Sequence, residues 1–178
     1  MKKNTKKTHW LMASCMMLLA FFATACSENS DDPKYRSQLP MYVDMEFEVL
    51  NADRDIIYTG DSVVARIVES KRGRLLGSVK NVWTCAPVDV QHNAPSGYVY
   101  DTNRIVPTDT FVAPATPARY EIKLEQTFKI NGQPDNYRST VQMQNGGEVE
   151  YKTLSQLLYG ITVTKQFAVR SRPDNPTE

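Results

Sequence analysis

Residues 119–130 read Arg-Tyr-Glu-Ile-Lys-Leu-Glu-Gln-Thr-Phe-Lys-Ile, and their alternation decides the fold class. Tyr120, Ile122, Leu124, Phe128 and Ile130 share one side of an extended chain, with Gln126 as the single polar interruption. Glu121, Lys123, Glu125, Thr127 and Lys129 share the other. Successive side chains of a strand point to opposite faces, so this period of two predicts one face on a core and one in water. The same rhythm runs through residues 41–49, where Met41, Val43, Met45, Phe47 and Val49 form one apolar face. Further strands are expected at 62–69, at 78–86 around Val79, Val82 and Trp83, at 97–100, at 110–113, at 137–144, at 148–152 and at 161–170. Asn145-Gly146-Gly147 predicts a hairpin turn, because a primed turn needs positive φ at its centre. Residues 153–160 (TLSQLLYG) fit a short helix or a strand. Pro40, Pro87, Pro107, Pro114 and Pro117 fall between the proposed strands, as do Gly60, Gly73, Gly132 and Gly147. The expected architecture is all-β, an antiparallel sandwich of about 7–9 strands.

The chain has 178 residues, 41% hydrophobic and 23% charged, which excludes a disordered composition. Four of its 21 basic residues (Lys2, Lys3, Lys6, Lys7) lie in the first 25 residues, which hold no acid. The remaining 153 residues carry 17 basic and 20 acidic side chains, a net charge of −3. No nucleic-acid partner is expected, since that binding works through phosphate neutralisation. Residues 10–25 (WLMASCMMLLAFFATA) form an apolar run behind the basic start. As a helix it would rise ~24 Å, short of a ~30 Å hydrocarbon core, and it reads as a secretory signal peptide.

Ala23-Thr24-Ala25-Cys26 resembles the cleavage box of bacterial lipoproteins, in which small residues precede a cysteine. The resemblance implies a diacylglycerol on Cys26, cleavage before it and acylation of the new amino terminus. It departs from the pattern at Ala23, where a larger aliphatic side chain is usual. The following Ser27-Glu28-Asn29-Ser30-Asp31-Asp32 resembles the surface-export signal of lipoproteins in the Bacteroidota. Several acyl chains anchor stably, at ~0.8 kcal/mol for each buried CH₂. Cys15 leaves with the leader, so Cys85 has no intrachain partner; it lies two residues from Trp83 and is expected in the core.

Three segments resemble the immunoglobulin-like domains of lipoproteins in that phylum. Thr59-Gly60-Asp61-Ser62-Val63 is similar to the turn that opens the second strand. Trp83 is similar to the buried tryptophan of the third. The run from Pro114 to Ile122 is similar to the corner before a late strand, with Tyr120 as its tyrosine. The resemblance spans roughly residues 41–144. It departs from the family in lacking a disulfide pair and in carrying residues 148–172 past the usual last strand. The expected division is a signal peptide at 1–25, a flexible acidic tether at 26–40, an immunoglobulin-like sandwich at 41–172 and a disordered tail at 173–178.

Candidate chemistry is sparse. Asp89, His92 and Ser96 hold the residue types of a catalytic triad, but one exposed loop gives no shell to fix its geometry, so no catalytic residue is assigned. Asn51, Asp53, Asp55 and Asp61 space oxygens as a calcium loop does, yet Ile56 replaces the required glycine and Arg54 intrudes; no metal and no cofactor is expected. Lys71-Arg72-Gly73-Arg74 reads as a solvated hairpin tip, with acidic polysaccharide or lipid headgroups as the alternative contact. Tyr98 and Tyr100 share a strand face, where they are core or a platform for stacking sugar rings. The expected function is a non-catalytic protein anchored through Cys26 in the outer membrane, its sandwich binding a protein partner in an envelope, secretion, adhesion or uptake assembly. A glycan-binding surface module and a carboxylate-based hydrolase are the alternatives.

Overall fold

The computed structural model describes residues 33–94, 97–99, 107–134, 137 and 139–173; Cys26 and Tyr100 lie outside them. The chain divides between Tyr35 and Arg36. Before the division stands a single turn of 3-10 helix, Pro33–Tyr35. After it comes a body of ten strands among the described residues: β1 (Met41–Val49), β2 (Ile57–Tyr58), β3 (Ser62–Lys71), β4 (Val79–Ala86), β5 (Gly97–Val99), β6 (Thr108–Val112), β7 (Ala118–Lys129), β8 (Thr140–Gln142), β9 (Glu148–Ser155) and β10 (Leu158–Arg170).

They form two sheets. One has the order β1-β3-β6; the other has the order β5-β4-β7-β10-β9-β8, and β2 joins it parallel to the end of β10. All the other pairings are antiparallel. With β1, β3 and β6 as strands A, B and E, and β4, β7 and β10 as C, F and G, this is the order of an immunoglobulin-like sandwich. Trp83 of β4 is buried in the shared core. The Tyr120 hydroxyl, near the start of β7, donates to the Thr116 carbonyl at 2.6 Å and makes the expected tyrosine corner. Asp61 N–H donates to the Tyr58 carbonyl, and Gly60 between them has φ +78°, which a side chain at this turn would resist.

Inward side chains from both sheets make one core. An aromatic cluster crosses it near the Tyr120 corner. The Phe167 ring on β10 lies 5.3 Å from Phe47 on β1, 5.5 Å from Phe111 on β6 and 5.8 Å from Tyr120 on β7, all tilted. Tilted contacts suit ring quadrupoles, and here they tie four strands of two sheets to one side chain.

Three expectations are corrected. Residues 36–40 belong to the body rather than to a tether, for Ser37 and Leu39 are fully buried. The Ser37 hydroxyl donates to the Leu75 carbonyl and accepts from the Asn131 N–H, both at 2.7 Å. The last sandwich strand is β10, so the extra chain is an insertion and not an extension: hairpin β8–β9 lies between β7 and β10 and widens the sheet beyond β10. Of the two readings of residues 153–160 the strand holds, for they complete β9 and begin β10. In β1 the simple alternation also fails. Pairing with β3 slips between Met41 and Asp44, and the bulge turns Tyr42 and Asp44 inward while Val43 sits half-exposed.

Phe167→Ala should cost about 3–5 kcal/mol in a urea melt, because it removes the ring that the other three aromatics pack on. Val112→Ala, on an exposed position, should stay within about 0.5 kcal/mol.

Candidate functional site

The lone body histidine has an acid partner that its sequence neighbourhood does not suggest. Residues 92–93 run along β6: His92 bridges to Phe111, and the Asn93 N–H donates to the Thr110 carbonyl at 3.1 Å. That alignment sets His92 Nδ1 against Asp109 Oδ2. The other carboxylate oxygen accepts the N–H groups of Asn93 at 3.1 Å and Ala94 at 3.0 Å. Asp109 is buried, and His92 Nε2 is buried without a hydrogen-bond partner among the described residues. An imidazole oriented by a buried acid is two-thirds of a nucleophilic triad. Ser96 lies outside the described residues, and Asp89 is an exposed loop residue that is not the partner of His92. Sequence reading missed Asp109 because the strand that carries it was expected only from residue 110.

Gln126, the interruption in the β7 pattern, has a polar counterpart on either side. Its Oε1 accepts the Tyr42 hydroxyl of β1, and its Nε2 donates to Asn81 Oδ1 of β4 at 2.8 Å. All three residues are buried, so the row joins the sheets and satisfies itself. Tyr42 and Gln126 line a cavity of about 20 Å³ with Glu69, Arg72, Leu76 and Phe128, room for about one water. Burial holds the Tyr42 phenol well above its usual range, with the charge of Glu69 adding to the effect. Burial also raises the Glu69 carboxyl, against the opposing charge of Arg72. The cavity suits one small polar molecule and no organic substrate.

A larger open cleft of about 340 Å³ lies beside the β8–β9 turn, lined by Glu121, Gln142, Asn145, Glu148, Thr164 and Gln166 among others. Gly147 (φ +97°) brings this turn onto β10; a Cβ there would fall 2.5 Å from the Thr164 carbonyl. Beneath the turn, Asp44 and Lys165 form a buried pair at 2.8 Å, their side chains 8% and 13% exposed. Asn145 Nδ2 and the Met45 N–H donate to the same carboxylate, and Lys165 Nζ also donates to the Met45 carbonyl. Burial alone would raise the Asp44 carboxyl. The hydrogen bonds from Lys165, Asn145 and Met45 outweigh it, and the group sits below its usual value of 3.8. The cleft holds two carboxylates, Glu121 and Glu148. Both are exposed, whereas glycoside hydrolysis asks for one kept protonated by a dry setting. Glu148 also accepts the Gln142 amide at 2.8 Å.

The oxygen-rich loop read as a calcium alternative is organised otherwise. Asp61 is buried, with its oxygens taken by Arg54 at 2.8 and 2.9 Å, Arg172 at 2.8 Å and the Tyr58 N–H at 2.7 Å. Asn51, Asp53 and Asp55 face solvent. Among the described residues no group of three acid, His or Cys side chains could hold a metal ion. Cys85 is buried in the core, and burial, with the charge of Asp89 behind it, pushes its thiol up to about 11. It is therefore protonated and unreactive at neutral pH. The Tyr98 backbone pairs with Lys80 at the outer edge of the larger sheet. No protein family, curated protein or solved structure matches this chain.

Acid melts should expose the Asp44 pair. Its folded carboxyl lies below the unfolded one, so its stabilisation is complete above about pH 4 and is lost as pH falls through the lower folded value. Asp44→Asn should flatten the urea midpoint against pH in that window. At pH 7 it should cost about 3–5 kcal/mol by stranding Lys165.

Proposed function

We propose that the chain is a bacterial envelope lipoprotein, anchored in the outer membrane through Cys26, whose sandwich binds a protein partner by the end opposite the one at which the chain enters it. Several features support this reading: the basic start, the apolar run of residues 10–25 and the small residues that lead into Cys26.

The observation that carries the partner half is the opposition of the two ends of the sandwich. The chain enters at Ser37, against the loops after β3 and β7. Arg172, past the last strand, is clamped to Asp61 at the other end. A twelve-residue strand such as β7 separates them by ~40 Å. The far end has fixed loops, held by the Asp61 clamp and the tyrosine corner. It exposes Leu50, Ile56, Val88 and Val112, each at least 38% accessible. Exposed apolar side chains on such loops, and at the end of β6, favour recognition, because little conformational freedom is lost on binding.

The open cleft favours a second reading, a glycan-binding module. Glu121, Glu148, Gln142 and Gln166 offer the acceptors and donors that sugar hydroxyls need. Tyr98 belongs to β5, at the opposite edge of this sheet from the β8–β9 hairpin, so the reading rests on the cleft's own polar groups. A carboxylate-based hydrolase would use the same two glutamates.

Labelled palmitate should enter the full chain and be absent from Cys26→Ala; equal labelling overturns the anchor. A photo-reactive amino acid at Val112 should give a discrete protein adduct in intact envelopes that Ile56→Glu abolishes. No adduct there, together with retention on a polysaccharide column that Glu148→Ala abolishes, selects the glycan reading.

A further inference from the structure

The end by which the chain enters has a composition of its own. Ser37 is the knot that assembles it: its hydroxyl joins the Leu75 carbonyl to the Asn131 N–H. One residue earlier the Ile130 N–H donates to the Leu157 carbonyl at 2.9 Å, so the loop after β3 and the β9–β10 turn are tied into one surface. On that surface Leu75, Leu154 and Leu157 are 48%, 50% and 51% exposed. Leu154 lies over Gly160, at 3.4 Å from where a Cβ would stand, so it is propped outward on a neighbouring strand. Basic side chains accompany the leucines. Lys71, Arg72, Arg74 and Lys129 are at this end, against Glu69 as the acid among its described residues, itself half-buried with its carboxyl raised.

We propose that this end docks directly on an anionic lipid surface, with the three leucines entering the interface and the basic groups meeting headgroups. The inference rests on the anchored reading above and adds an orientation to it. Three points select lipid as the occupant. Cys26 is ten residues before Arg36, a reach of at most ~35 Å, so in an acylated chain this end can stay no farther than that from a bilayer and is free to touch it. Aliphatic tips flanked by Lys and Arg match the two attractions of an interface, apolar burial and anionic headgroups. The acidic segment 27–32 could meet the arginines, but it holds no apolar side chain to cover the leucines.

The test uses the full chain reconstituted in vesicles of phosphatidylethanolamine and phosphatidylglycerol, with an environment-sensitive fluorescent amino acid at Leu157, Leu75 or Val112. Lipids brominated on their acyl chains should quench the first two probes at least about twofold and leave the Val112 probe unchanged. Arg72→Glu with Arg74→Glu should weaken the quenching at Leu157. Equal quenching at Leu157 and Val112 overturns the proposal, and so does an unquenched Leu157 probe, the result of the acidic segment folding over this end. The intact mass of the same sample reports acylation separately. An acylated chain with no quenching removes the docking and keeps the anchor. Quenching without acylation does the reverse.

Discussion

Strand β10 has thirteen residues and two edges, and the need to pair both organises the molecule. One edge is met along its length by β7, from Leu158 opposite Lys129 to Val169 opposite Ala118. The other is shared. β9 serves it up to Thr164, and β2 takes the last two positions, Val169 and Arg170. Between them stands Lys165, whose ammonium turns inward to Asp44 of the opposite sheet. The insertion of β8–β9 and the parallel strand β2 are thus two answers to one demand. The Asp61 clamp belongs to the same solution, since it holds Arg172 just beyond β10 and the turn just after β2.

Most of the sandwich was legible because burial in a half-covered sheet imposes a period of two, and Tyr120, Ile122, Leu124, Phe128 and Ile130 obey it. The turn at Asn145 to Gly147 was legible too, since few residues other than glycine tolerate its backbone. What escaped were places where two distant segments decide the outcome. The slip in β1 needs β3 to be seen: only the partner register shows that Tyr42 and Asp44 face in. The role of Gln126 needs Asn81 and Tyr42, which are 45 and 84 positions away. Ser37 looked like tether because its partners, Leu75 and Asn131, lie on loops with no periodic signal.

The candidate sites were less legible than the fold for the same reason. His92 was singled out as the lone body histidine, and its nearest acid in sequence was the wrong one. The pairing with Asp109 arises from an isolated bridge to Phe111, a contact between a loop and a strand edge that no local pattern encodes. The polar residues inside the body are largely committed to one another. Tyr42, Gln126 and Asn81 bridge the sheets, Asp44 and Lys165 fix the inserted hairpin, and Asp61 gathers two arginines. Such satisfied groups specify a register and a connection more than they add stability. Among the described residues His92 Nε2 is the exception.

The small sheet has a further property. Its two outer strands would ordinarily offer rows of free amides and carbonyls to any extended peptide. On β6 the chain itself lies there, through His92 and Asn93, and on β1 the Gln144 amide reaches the Val43 carbonyl. Among the described residues the larger sheet ends at either side in strands of three residues, β5 and β8. These contacts shorten the runs of free amides and carbonyls onto which a copy of the protein or a stray strand could zip. Whatever joins it must be recognised by side chains and can leave again without unravelling the host.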